Sequence, residues 1–204
     1  MSINALCASP NRVCSHSIKM QIRLIILDFD GTLASTEKAN MQAYVLALRE
    51  ESIELDVDEY KRRYFGMRCP EFLREIGITN EKDIDRIRRR KIELYPTQFD
   101  TVKLNEPLWN FVQDFRAKGG KVWIVSTGQI ENVTNVMRYL GIEGKVDGVL
   151  TSRDVVEPKP SPDAFLKAMQ AEGVTPAETL IFEDSMVGLE AAEASGASYI
   201  KVEL

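Results

Sequence analysis

Three short apolar runs in the chain stop abruptly at oxygen-bearing side chains. Ile22-Arg23-Leu24-Ile25-Ile26-Leu27 ends at Asp28, Val122-Trp123-Ile124-Val125 at Ser126, and Thr179-Leu180-Ile181-Phe182 at Glu183-Asp184. Runs with almost no alternating polar positions suit strands buried on both faces, as in parallel sheets. Helical stretches follow from Ile130 to Tyr139, stopping at Gly141, and from Val187 to Ala194, stopping at Gly196. Further strands are expected at Val146 to Leu150 and Ser198 to Val202. Alternation of this kind predicts an α/β fold with a doubly wound parallel sheet.

The stretch from Ser35 to Lys103 breaks the pattern. It is rich in charge and helical periodicity, has no convincing strand, and offers helices at Glu37 to Glu51, Asp56 to Phe65, Pro70 to Ile76 and Glu81 to Tyr95. At about 70 residues it is far too long for a simple connection between strands, so it reads as an inserted α-helical domain. The expected organisation is an extension at residues 1–20, a core at 21–34 and 104–204, and the insert at 35–103. The basic run Arg86-Ile87-Arg88-Arg89-Arg90-Lys91 lies among Asp83, Asp85 and Glu93, which favours a solvated helix face over an anion-binding patch.

Composition narrows the class. With 204 residues, 44% hydrophobic, 28% charged and a net charge of -5, the chain is an ordinary globular protein, neither disordered nor collagen-like. No apolar run approaches the ~20 residues of a membrane span, and the mild acidity gives no general reason to bind nucleic acid or an anionic membrane. Cys7, Cys14 and Cys69 are too few and too scattered for a disulfide framework, so a cytoplasmic location is expected. Residues 1–20 lack the apolar core of a secretory signal and read as a flexible extension; Cys7, Cys14 and His16 within it make a weak zinc pattern.

In an open parallel sheet, ligands bind in the crevice beyond the carboxyl ends of the strands. If the three clear strands are neighbours, Asp28, Asp30, Ser126, Glu183 and Asp184 meet there. Four carboxylates so close would repel one another unless a cation lay between them, and oxygen ligands with no nearby Cys or His select Mg²⁺. Isolated Asp residues after strands are usually turn formers or caps. Asp28-Phe29-Asp30-Gly31-Thr32-Leu33 has more than capping requires. Asp28 can attack a phosphoryl group, and Asp30 can exchange a proton with the leaving or attacking oxygen.

These segments resemble the four motifs of the haloacid dehalogenase (HAD) superfamily, in family order: Asp28 to Leu33, Ser126-Thr127-Gly128, Lys159 within Glu157-Pro158-Lys159-Pro160-Ser161-Pro162-Asp163, and Phe182-Glu183-Asp184-Ser185-Met186-Val187-Gly188. The set is most similar to the β-phosphoglucomutase-like branch and spans about Met20 to Leu204. The resemblance implies a Rossmann-like HAD core with the insert as a helical cap between the first two motifs. It implies Asp28 as nucleophile and Asp30 as general acid/base, with Mg²⁺ held by Asp28, Glu183, Asp184 and the backbone carbonyl of Asp30. Ser126 and Lys159 would bind the transferring phosphoryl oxygens, with Thr127 and Gly128 beside them. Phe65-Gly66-Met67-Arg68 resembles the cap loop that faces the core, where Arg68 would contact substrate. Ser126 has an alternative reading as a helix cap, Arg68 as a solvated side chain.

The expected function is hydrolysis of a small phosphorylated metabolite, such as a sugar or polyol phosphate, through an aspartyl-phosphate, by a chain expected to be monomeric. A sugar phosphomutase is the alternative. Mutases of that branch carry a His in the first cap helix, and Asn40 stands at the aligned position. Asp30 argues against haloacid dehalogenation, which lacks a carboxylate there. A non-catalytic binding protein would keep the fold without needing every one of these acids.

Overall fold

The computed structural model describes residues 21–204. The extension expected at 1–20, with Cys7, Cys14 and His16, lies outside the described residues. The first apolar run forms β1 (Leu24–Leu27), followed by β2 (Ala34–Ser35). The helices α1 (Glu37–Glu50), α2 (Val57–Glu59), α3 (Cys69–Glu75) and α4 (Glu81–Leu94) come next, and a 3-10 segment, Tyr95–Thr101, leads to β3 (Lys103–Leu104). The remainder alternates: α5 (Glu106–Ala117), β4 (Lys121–Val125), α6 (Ile130–Tyr139), β5 (Gly148–Leu150), α7 (Asp163–Glu172), β6 (Thr179–Glu183), α8 (Met186–Ala194) and β7 (Ser198–Lys201).

Five strands make one parallel sheet in the order β5-β4-β1-β6-β7. Successive side chains of β1 point to opposite faces. Ile25 and Leu27 join a cluster with Val112, Ile124, Val133 and Val136, whereas Leu24 and Ile26 pack with Phe165, Met169, Ile181 and Ala191. Every residue of β1 is therefore buried, which is why its sequence shows no polar alternation. Leu27 pairs with Ile124 of β4 and Phe182 of β6. One step further along, that register sets Asp28 beside Glu183.

The helical insert has an apolar cluster of its own, in which Tyr44, Tyr60, Tyr64 and Phe72 interlock at ring separations of 4.8 to 5.7 Å. Its two ends meet in a short antiparallel ribbon, Ala34 opposite Leu104 and Ser35 opposite Lys103. The helix expected over Asp56 to Phe65 is tighter at its start and wider at its end, since α2 passes into a π-helical turn, Tyr60–Tyr64. Tyr60 and Tyr64, four residues apart, both enter the cluster. The solvated-face reading of the basic run holds for Arg86 and Arg90, which pair with Glu51 and Asp83 and with Glu50 and Glu93. It fails at Lys91, which is only 3% exposed. Arg88 and Lys91, one helical turn apart, face inward from α4 toward the cleft above the sheet.

Candidate active site

The carboxyl ends of β1 and β6 bring Asp28, Glu183 and Asp184 together, each offering an oxygen within 4.8 Å of the others. Lys159, from the segment before α7, inserts among them. Its Nζ donates to Asp28 Oδ1 at 2.5 Å and to Glu183 Oε2 at 2.6 Å, with the Val125 carbonyl at 3.4 Å and the Phe165 ring 5.1 Å away. The other oxygen of Glu183 accepts from the Ser185 backbone N–H and hydroxyl, at 3.1 and 2.8 Å. Glu183 thus has both oxygens engaged by protein donors. Asp184 Oδ1 accepts from the Thr32 hydroxyl at 2.8 Å.

Two glycines leave the space these acids occupy. Gly31 has φ +96°, and a Cβ there would fall 2.3 Å from Asp184 Oδ2; a Cβ on Gly188 would fall 2.0 Å from the carboxyl carbon of Glu183. Asp30 points away from the cluster. Its Oδ1 accepts from Thr36 Oγ1 at 2.5 Å and its Oδ2 from Ser126 Oγ at 3.2 Å. The Ser126 hydroxyl in turn accepts the Gly128 N–H at 2.9 Å, while Gln129 is the residue that precedes α6. Ser126 is therefore a link between the ends of β1 and β4 and does not cap α6. Thr127 Oγ1 donates to the Gly66 carbonyl at 3.3 Å, joining the core to the insert's loop.

Electrostatically the cluster is short of positive charge. Burial pushes the Asp28 carboxyl well above the ordinary range, Glu183 adds to this, and Lys159 only partly opposes it. Burial acts against the Lys159 ammonium, yet Asp28 and Glu183 together raise its affinity for the proton. Asp184 is likewise raised by burial, and further by Glu183, against the pull of the Thr32 hydrogen bond. Burial and mutual repulsion at Asp28 and Asp184 are the unfavourable terms that a bound cation would offset. The all-oxygen donor set, with no sulfur or imidazole, fits a hard dication such as Mg²⁺.

Above the cluster opens a cleft of about 670 Å³ between sheet and insert. Asp28, Asp30, Thr127, Gly128, Lys159 and Asp184 line its floor, and Asn40, Gly66, Arg68, Arg88 and Lys91 its roof. Arg68 thus faces the cleft, with Nε and Nη2 buried and without hydrogen-bond partners. Thr32, a hydroxyl donor within the Asp28 motif, donates to Asp184. Thr36, Arg88 and Lys91 were not singled out from sequence as site residues; Thr36 follows the motif by three residues, and a hydroxyl so placed is the available signal for it.

Three strand ends, the Lys159 segment and a roofing helical insert thus make up the site. The sequence profile of the haloacid dehalogenase-like hydrolases matches residues 25–202, and the chain belongs to that family. Within it the chain is a phosphoric monoester hydrolase. Its relatives include the fructose-1-phosphate phosphatase YqaB of Escherichia coli, 28% identical over 88% of this chain and 96% of that one. Another is the validoxylamine A 7'-phosphate phosphatase of Streptomyces hygroscopicus subsp. limoneus, 25% identical over 85% of this chain and 82% of that one. Among solved structures, CbbY from Rhodobacter sphaeroides in complex with phosphate superposes with a TM-score of 0.82, at 24% identity over 90% of this chain and 87% of that one. The β-phosphoglucomutase of Clostridium difficile gives 0.77 at 21% identity, over 90% and 86%. These likenesses of structure show the shared fold.

Proposed function

We propose that this protein is a Mg²⁺-dependent phosphatase of a sugar or polyol phosphate, working through an aspartyl-phosphate, with residues 35–103 as its cap. The observation that carries the reading is the Asp28 carboxylate at the floor of the cleft. Lys159 holds one of its oxygens, Glu183 and Asp184 stand beside it, and Asp30 lies two residues on. The phosphatase names of the relatives support the same reading.

Asp28 would attack phosphorus as the bond to the substrate oxygen breaks, and Asp30 would give that oxygen a proton. Water would then attack the phosphorus of the acyl phosphate, giving its proton to Asp30 as the bond to Asp28 breaks and phosphate leaves. The Lys159 ammonium would donate to charge on the equatorial oxygens, joined by the Ser126 and Thr127 hydroxyls and the Gly128 N–H once these turn from Asp30, Gly66 and Ser126. Asp28, Asp184 and the Asp30 carbonyl would hold Mg²⁺; Glu183, expected as a fourth ligand, has both oxygens engaged by Lys159 and Ser185 and would instead steady Lys159 from the back of the cluster. The bound dication supplies electrostatic stabilisation of the transferring group. The hydroxyls of Thr36, at the start of the insert, and Ser126, on the core, would hold the Asp30 carboxyl in place.

Phosphate release from p-nitrophenyl phosphate and a panel of sugar and polyol phosphates should require Mg²⁺ and vanish in Asp28→Asn. Retention of turnover in Asp28→Asn would remove the nucleophile from the scheme. Isomerisation of a hexose 1-phosphate to its 6-phosphate with little free phosphate would establish a mutase. Asn40, at the place of that branch's histidine, has no group able to shuttle a proton.

A further inference from the structure

The two edges of the sheet are finished differently. At β5, Leu150 is buried and Gly148 is pressed against the Trp123 ring. At β7 all four residues, Ser198 to Lys201, are exposed, Tyr199 at 43% and Ile200 at 46%. This strand pairs with β6 on one side and, among the described residues, with nothing on the other. The Val202 N–H donates to the Glu183 carbonyl at 2.8 Å, and in a parallel pair alternate residues bond to the neighbouring strand. Ser198, Ile200 and Val202 therefore bond inward, while Tyr199 and Lys201 turn their N–H and C=O groups outward.

Side chains alternate in the same way. Ile200 shares the face of Phe182, its partner on β6, and over that face the Phe111 ring of α5 stands 6.1 Å from the Phe182 ring. The opposite face is covered at this edge by α8, where Ala191 and Ala197 pack with Ile181. Phe111, half exposed, Phe182 and Ile200 thus form an apolar row that runs to the edge of the sheet and stops in water. Parallel sheets are ordinarily buried on both faces, and an edge with apolar side chains is a template for another strand. A lysine on an edge discourages such pairing, but the Lys201 ammonium is already held by Glu203 at 3.0 Å.

We infer that β7 pairs with β7 of a second copy, antiparallel about a two-fold axis at Ile200, so that the chain forms a homodimer in place of the monomer expected from sequence. Tyr199 then lies opposite the partner subunit's Lys201, and the two exchange both of their outward backbone bonds. A slip of one residue would set outward groups against inward ones, and an axis at Lys201 would set like charges opposite each other. With the axis at Ile200 the side chains also match. Tyr199 meets the lysine as an aromatic–cation pair, Ile200 meets its own copy at the closer, non-hydrogen-bonded kind of position, and the two apolar rows join end to end. A patch that complements itself is what an isologous interface requires. None of residues 198–204 lines the cleft, so both sites stay open.

Sedimentation velocity of the full chain from about 1 to about 200 µM tests this, since a contact at the small end of specific interfaces places dissociation on the order of 10 µM. The mass should rise with concentration from 23.1 kDa toward twice that value. Ile200→Glu sets two carboxylates side by side and Ile200→Lys two ammoniums, and each should weaken association by about tenfold or more. An equimolar mixture of the two variants should recover it, because unlike charges then face each other across the axis. Without any substitution, the outward amides of Tyr199 and Lys201 should exchange hydrogen more slowly at the top of the concentration range than at the bottom, while those of β5 stay unchanged. A wild type that remains monomeric throughout, a dimer that survives both substitutions, folded variants that stay apart when mixed, or exchange at Tyr199 and Lys201 that ignores concentration overturns the pairing.

Discussion

Replacing Lys91 by Met should make the protein more stable. The buried ammonium has its proton affinity lowered from 10.5 to about 8, chiefly by burial, with Asp30 and the Cys69 thiol pulling the other way. A shift of that size corresponds to about 3 kcal/mol against the charged form at neutral pH. Methionine keeps the unbranched stem and loses the charge, but also the two aromatic contacts, at about 1 kcal/mol each. A net gain of about 1 kcal/mol at pH 7 follows, a rise in Tm of about 2–4 °C for a chain of this size. The pH dependence supplies a sharper sign. Below pH 8 the folded and unfolded wild type both hold the proton, and the penalty is complete. Between about 8 and 10.5 the unfolded chain still binds it while the folded protein releases it, so wild-type stability rises with pH through that window. Lys91→Met lacks this rise, so its advantage at pH 7 should vanish or reverse by pH 9.5. Urea unfolding of both proteins at the two pH values measures the difference, and contributions from all other groups cancel. A variant less stable than wild type at pH 7, or a difference that does not change between the two pH values, would refute the reasoning. A residue that lowers stability and lines the substrate cleft is the pattern expected where binding needs conflict with folding.

Two further substitutions test the acid cluster. Lys159→Met strands Asp28 and Glu183 without their shared counter-ion, and a loss of about 3–5 kcal/mol is expected in urea unfolding, part of it recovered in the double variant Lys159→Met/Glu183→Gln. A loss below 1 kcal/mol would mean that the carboxyls relax into water. Gly188→Ala places a methyl group 2.0 Å from the Glu183 carboxyl carbon and should lower stability by about 1–3 kcal/mol while displacing the Ser185 hydrogen bonds. An unchanged Tm would show that the start of α8 yields at no cost.

The sheet was legible because burial on both faces suppresses alternation: Leu24 to Leu27 and Leu180 to Phe182 leave no polar residue to confuse the period. The acids were legible because each ends such a run, and a parallel sheet sends those ends to one side. Nothing comparable announced α5 and α7, though Asn105, whose side chain accepts from Leu108 N, and the stop at Gly173, φ +61°, frame them. Lys91 was the larger miss. In a run of basic residues, the one that turns inward differs from its neighbours only by helical phase, and Tyr44 and Tyr95, the rings that receive it, are remote in sequence or lie beyond the helix end. Arg88 needed the same knowledge of where the insert faces.

The ribbon of β2 and β3 has a consequence for how such proteins diversify. The insert leaves the sheet at Ala34 and returns at Leu104, and these two residues are paired directly across the ribbon. A segment whose two ends are already neighbours places no stretching demand on the rest of the chain, and lengthening it adds only a slowly growing closure entropy. Evolution can therefore exchange or resize everything between those two positions as a cassette, and with it the roof that meets the substrate, while Asp28, Lys159 and Asp184 keep their places.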